Sequence, residues 1–500
     1  MTVKIRTIIY AATASLILTG CITLDTDALL DKKHTGYDAG PSPASEEPMD
    51  VMPEAEEPPV ISVDDDSPYV IVDEEEEPEE PEYEEIFDPE GKQFSVRTES
   101  PDRITLAFAG DVGFAEGYAT INKYRSNGSD ITKSFDEEVL QIMQSADIMM
   151  VNNEFPYSDR GSPTPNKTYT FRADPYDVHI MNDMGVDIVS LANNHAYDYG
   201  PDALLDSLDT LMGAKIPYVG AGRNIDEAAH PVYFHANGKI IAFVAATQIE
   251  RLGNPDTKGA TKDSPGVLRT LDPARAVEAI KEADENSDFT VMFVHWGSES
   301  TDLVEKSQRD LAKAYADAGA DLIIGAHSHC LQGIDYVDGV PVFYSLGNFW
   351  FNSKTLDTCI VRATLDGDCS LSGLEFIPCV QKGSGVTAGS DGDRERIIEY
   401  MRGISNHAEI DSDGYVSESD EDHNIQKGQN TSPAKRSSAG QDAEEKPKLQ
   451  EEPKAEAPAE ASKTEHSEET KPKDTGTSEE SNLHVDEEEA LPDWAVDVTD

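Results

Sequence analysis

Basic residues are scarce in this 500-residue chain: 40 Lys and Arg stand against 98 Asp and Glu, a formal net charge of −58. Such a balance repels phosphate backbones, and no basic stripe interrupts the acid, so nucleic acid is excluded as a partner. Cysteine is also sparse, with five residues, of which Cys21 closes the first apolar run. The other four, Cys330, Cys359, Cys369 and Cys379, allow three disulfide pairings. A pair among the last three would fit the closing strands, whereas Cys330 reads as a small buried residue. Tryptophan is rare as well. Trp296 and Trp350, with Phe349 and Phe351, read as core and cleft wall rather than as a stacking platform.

The acid that is present is unevenly spread. It concentrates between Ser45 and Ser100, including DEEEEPEEPEYEE, and again beyond about Asp391. Both stretches are rich in Pro, Glu, Ser and Lys and lack apolar periodicity, so they cannot bury enough surface to offset ordering entropy. The reading is a disordered acidic tether over 22–100, one globular domain over 101–382 and a disordered acidic tail over 383–500. Residues 1–21 carry Lys4 and Arg6, then an apolar run from Ile8 to Leu18 that is short for a membrane span. Leu18-Thr19-Gly20-Cys21 resembles the bacterial lipobox, which implies cleavage before Cys21, a lipid on its sulfur and an extracytoplasmic protein held to the cell membrane.

Within the domain, apolar strands alternate with helical segments, predicting an α/β fold. Strand Ile104–Phe108 leads to Asp111, and Ala146–Val151 leads to NNEFP with Glu154. Val186–Ala192 leads to NNHAYDYG with Asn194 and His195, and Phe289–Val294 leads to His295. The run Leu322–Ile324 leads to His327 and His329, whose i, i+2 spacing in extended chain would aim both imidazoles at one point. Ligands collect beyond the C-terminal ends of such strands. Asp111, Glu154, Asn194, His195, His295, His327 and His329 make a mixed oxygen and nitrogen set suited to one or two ions of Mn, Zn or Fe. Arg172, in YTFRAD, would contact an anionic substrate or a surface carboxylate. Glu299 would orient His295, hold substrate or begin a helix in solvent. Asn348, in SLGNFWF, reads as a turn former.

The segments GDV, NNEFP, ANNH, HWGSE, GAHSH and YSLGNF, in that order, resemble the bacterial capsule-synthesis CapA family, over roughly Arg103 to Cys379. The family is associated with poly-γ-glutamate and is similar in fold to calcineurin-like metallophosphoesterases. The resemblance implies a four-layer α-β-β-α sandwich with a metal cleft at one edge. It assigns Asp111 and His329 to a first metal, Glu154 to a bridging place, Asn194, His295 and His327 to a second metal, and His195 to the general acid. Departures from the phosphoesterase pattern are Gly113 where a histidine is usual, Glu154 for an aspartate, and Ala326 inserted before His327. The expected function is work on, or binding of, an anionic envelope polymer, beside membrane-embedded synthase subunits. A metal-dependent phosphoesterase or other hydrolase, and a non-catalytic polymer-binding scaffold, are the alternatives.

Overall fold

The computed structural model describes residues 85–249 and 257–420. The expected signal peptide with Cys21, nearly all of the tether and the tail beyond residue 420 lie outside the described residues. No helix among the described residues is long and apolar enough to cross a membrane.

Two eight-stranded mixed sheets carry the fold. In the first the order is Phe87–Asp88, Gln93–Ser95, Val232–Ala236, Lys239–Thr247, Phe289–His295, Leu322–Ala326, Val340–Leu346, Leu331–Val337. In the second it is Gly385–Thr387, Leu371–Lys382, Leu356–Asp366, Arg103–Val112, Ile148–Asn153, Ile188–Ser190, Tyr218–Val219, with Asn348–Trp350 also beside Arg103–Val112. The middle of each sheet is parallel: Lys239–Thr247, Phe289–His295, Leu322–Ala326 and Val340–Leu346 in one, Arg103–Val112, Ile148–Asn153, Ile188–Ser190 and Tyr218–Val219 in the other. Parallel neighbours need crossover connections, which helices such as Pro201–Gly213, Ala274–Asn286 and Lys306–Ala318 supply. All C-terminal strand ends of a parallel run therefore share one edge.

Alternation along each strand divides the core. Ile104, Leu106 and Phe108 join Ile148, Met150, Phe293 and Ile324 in one cluster drawn from both sheets. Their neighbours Ala107, Ala109 and Met149 join a second cluster with Val139 and Met143 of the helix Glu137–Gln144. Met292, Val294 and Ile323 join a third with Ile280, Leu311 and Tyr315 of the helices Ala274–Asn286 and Lys306–Ala318. A strand buried on both faces must be apolar at nearly every position, which is why these segments are continuous apolar runs.

The folded region exceeds the expected 101–382 at both ends. Phe94, on the strand Gln93–Ser95, is 3% exposed and belongs to the cluster between the sheets. Beyond residue 382, the helix Asp391–Ile404 places Ile397, Ile398 and Met401 in that cluster, and a hairpin adds Ala408, Ile410 and Val416. These elements escape a composition reading because a few apolar residues do the anchoring within charged sequence such as DGDRER. The four described cysteines are free thiols, with Cys359, Cys369 and Cys379 buried.

Candidate metal centre

The parallel strands deliver their last residues to one place. Asp111 sits next to the end of Arg103–Val112, fully buried, and Glu154 follows Ile148–Asn153 directly, also fully buried. His295 ends Phe289–His295, and Asn194 with His195 follows Ile188–Ser190. A close backbone approach fixes Asp111: its N–H donates to the Gly347 carbonyl at 3.0 Å, and a Cβ on Gly110 would lie 1.9 Å from that same oxygen. Only glycine fits at position 110.

His327 and His329 do not point alike. The strand stops at Ala326, and the two histidines take positive φ angles of 94° and 56°. Left-handed backbone at bulky residues is costly and persists where surrounding structure holds it, commonly at functional sites. The consequence is divergence. His327 Nδ1 lies 3.0 Å from His295 Nε2, whereas His329 Nδ1 lies 3.2 Å from Asp111 Oδ2 and 2.8 Å from Asn348 Oδ1.

Two groups of ligand-type atoms result, Glu154 with His295 and His327, and Asp111 with Glu154 and His329, each within 4.8 Å. Glu154 belongs to both. Its Oε1 is buried without a hydrogen-bond partner among the described residues, 3.6 Å from His295 Nε2 and 3.9 Å from His195 Nε2. Asn194 Oδ1 approaches His295 Nε2 at 2.9 Å. Ligand atoms bonded at about 2.1 Å to one cation stand roughly 3 Å apart, so the separations and the donor types suit a divalent cation. An unpartnered buried carboxylate oxygen is otherwise expensive. The residues present fit the metal that their pattern implies.

Electrostatics point the same way. Burial first, and then the Asp111 charge, push the Glu154 carboxyl well above its ordinary range. Burial first, and then neighbouring imidazoles, push His295 and His327 well below theirs. Burial lowers His329 too, but its hydrogen bond to Asp111 and the Glu154 charge outweigh that and bring it to about 10. The histidine-rich side thus holds neutral imidazoles, the form that ligates metal. His195 is lowered chiefly by burial, against the pull of Asp198, whose Oδ2 is 2.7 Å from Nδ1.

Other residues complete the surroundings. Asn152 Nδ2 donates to Asp111 Oδ1 at 2.8 Å and lies 3.3 Å from His295 Nδ1, tying the two groups together. Asn193 Nδ2 donates in turn to Asn152 Oδ1 at 3.0 Å. Lys167, nearly buried, donates to the Asn194 carbonyl and to Asp198 Oδ1. Phe171 stacks against His195 with ring centroids 4.2 Å apart, and Phe351 lies 5.1 Å from His329. Asn152, Asp198 and Lys167 were not singled out from sequence. Asn152 and Asp198 are visible there only as members of NNEFP and NNHAYD. Arg172 stands aside: its guanidinium lies 4.3 Å over the Tyr199 ring and donates to the Arg160 carbonyl. Glu299 is exposed at the rim, close enough for its charge to act on Glu154 and His329. Cys330 Sγ donates to the Thr301 carbonyl at 3.2 Å rather than facing the cluster.

An α/β fold with a buried two-lobed cluster of carboxylate, amide and imidazole at one strand edge defines a candidate metal-dependent class. Residues 105–353 match the family described as bacterial capsule synthesis protein PGA_cap. The chain is 32% identical over 272 residues to the PGA biosynthesis protein CapA of Bacillus subtilis, covering 53% of this chain and 69% of that one. It is 31% identical over 319 residues to the capsule biosynthesis protein CapA of Bacillus anthracis, covering 61% and 74%. A probable polyglutamine synthesis accessory protein of Mycobacterium tuberculosis is 28% identical over 219 residues, covering 42% and 58%. The chain belongs to the bacterial capsule-synthesis CapA family.

Proposed function

We propose that this protein serves the biosynthesis of an anionic capsule polymer such as poly-γ-glutamate, from the outer face of the membrane, anchored through a lipid on Cys21. In this reading the two sheets and their helices form a four-layer α-β-β-α sandwich, and the cleft at their shared edge engages the polymer. The sharing of Glu154 between two ligand groups carries the reading, because a lone structural carboxylate would not be left with a bare buried oxygen. The names of the relatives supply the polymer, and the accessory role in the name of one of them suggests a membrane synthase as partner.

His295, His327, Asn194 and Glu154 would hold one ion of Mn, Zn or Fe, and Asp111, His329 and Glu154 a second. Asn348, whose Oδ1 is 2.8 Å from His329 Nδ1, would stand beside the second. A divalent cation there would supply Lewis acidity and positive charge against an anionic group. The remaining chemistry belongs to the chain. Asp198 accepts the Nδ1 proton of His195, which fixes the tautomer and leaves Nε2 facing the cleft. Burial keeps that imidazole neutral at rest, and an arriving anion favours its protonation, so Nε2 can deliver a proton to a leaving group. Phe171 and Phe351, in edge contact with ring centroids 5.6 Å apart, cover His195 and His329 together.

Elemental analysis of the purified protein, followed by a panel of γ-glutamyl amides and phosphoesters, tests the reading. Bound divalent metal with turnover or capture of the γ-glutamyl substrates is expected. A protein that takes up no metal under any loading condition sinks the cleft assignment. Turnover of phosphoesters alone would replace the polymer with a phosphoesterase reading of the same site.

A further inference from the structure

In the described residues most cations are neutralised by the surrounding acid, as Arg125 is by Glu116 and Asp177, and Arg396 by Asp357. Lys123, Lys354 and Lys382, like Lys258, Lys262 and Lys281, have ammonium groups without a carboxylate or carbonyl partner among the described residues, but only Lys123 and Lys382 share a cavity. Lys123 and Lys382 line one cavity of about 320 Å³ together with Lys133, whose ammonium donates to the Asn127 carbonyl at 2.8 Å and pairs with Asp130 Oδ2 at 3.3 Å. The acidic residue in its wall, Asp136, is satisfied by backbone, accepting from Val139 and Ala388 N–H at 2.9 Å each. With Lys133 paired to Asp130, the positive character of the cavity rests on Lys123 and Lys382.

Its position relates it to the cleft. Leu371–Lys382 and Arg103–Val112 both pair antiparallel with Leu356–Asp366, so Lys382 emerges at the edge that carries Asp111. The segment from Phe351 to Lys354 joins the two places. Phe351 lies against His329, and two residues on, the Ser353 carbonyl accepts from Gly383 N–H at 3.2 Å beside the cavity. Trp350 Nε1 donates to the Ser384 carbonyl at 2.9 Å, which fixes the turn bearing Lys382 against the cleft wall.

We infer that the cavity and Lys354 form a second binding site, for a linear polycarboxylate, that holds one stretch of polymer while a neighbouring stretch enters the cleft. The inference rests on the reading of the protein as acting on an anionic polymer. Flexible ammonium groups recognise repeated carboxylates without demanding one geometry, and linked weak contacts raise overall affinity through effective concentration.

The test uses the full-length protein, stripped of metal, and a fluorescent γ-linked oligoglutamate followed by anisotropy. Lys123→Glu with Lys382→Glu should weaken capture by about tenfold or more and flatten its salt dependence, since charge contacts dominate. Lys281→Glu, on the exposed face of the helix Ala274–Asn286, should change it by less than about twofold. Equal losses in both variants would overturn the site. So would capture that arises only after residues 421–500 are removed, which would assign the cavity to the chain's own tail. The cleft reading fails separately, on metal uptake, which reversal of Lys123 and Lys382 leaves unchanged.

Discussion

Both edges of the sheets carry acidic side chains, yet they use them in opposite ways. At the edge where strands begin, an aspartate precedes each of four strands and is bonded by the strand beside it. Asp147 accepts from Thr105 N–H at 2.7 Å, Asp187 from Met149 N–H at 2.8 Å, Asp288 from Ile240 N–H at 2.9 Å and Asp321 from Thr290 N–H at 2.8 Å. At the edge where strands end, Glu154 Oε1 has no such partner and faces histidines. Burial raises Asp187 to about 7 and raises Glu154 as well. A perturbed carboxyl is therefore no mark of function by itself. The distinction lies in whether backbone saturates it or leaves it bare among other ligand atoms.

The sharpest break of this contrast is Glu154→Gln. Removing the charge shared by both groups should cut divalent-metal affinity at both by on the order of a hundredfold or more, read as bound metal per chain. Without metal, the same variant should melt no lower than the parent, because the buried carboxyl is already disfavoured as a charge. Retention of two ions would show that Glu154 is an ordinary buried acid. Next in size, His327→Ala and His329→Ala should each remove one ion and leave the other, since the two rings serve different groups. His195→Ala should keep its metal and lose any hydrolysis. Loss of both ions in either ring variant would mean one site rather than two.

A smaller effect sharpens the other edge. Asp187 titrates at about 7 in the fold against an ordinary 3.8, so between those values the native state holds a proton that the unfolded chain has released. Stability falls as pH rises across that window and is level above it. Asp187→Asn keeps an acceptor for Met149 and removes the charge. Because the residue is only partly buried, it should gain roughly 1–3 kcal/mol at pH 8 and nothing at pH 4, by denaturant melts at each pH. A gain equal at both values would put the effect outside Asp187 ionisation.

Much of this was legible in the chain. Continuous apolar runs ending in Asp111, NNEFP, ANNH and HWGS disclose parallel strands and a ligand-bearing edge, since period and punctuation are local properties. The divergence of His327 and His329 was not, because it depends on positive φ held by the neighbouring strands rather than on spacing. Nor was the anchoring role of Asp in ADI, VDI, SDF and ADL, where the partner N–H lies on another strand. The helix Asp391–Ile404 was hidden by composition: three buried apolar residues among charges suffice once a core is waiting for them.

The least effect should come from Asp288→Asn, and its smallness matters. Asp288 is exposed, accepts from Ile240 N–H and stands 3.7 Å from Lys239 Nζ. The amide preserves the acceptor and sacrifices only a weak, screened ion pair, so stability should shift by no more than about 0.5 kcal/mol. A loss above roughly 2 kcal/mol, outside the range of surface substitutions, would mean that charge rather than hydrogen bonding anchors the strand entrances. Carboxylates at both edges would then be electrostatic devices, and a bare oxygen on Glu154 would no longer set it apart.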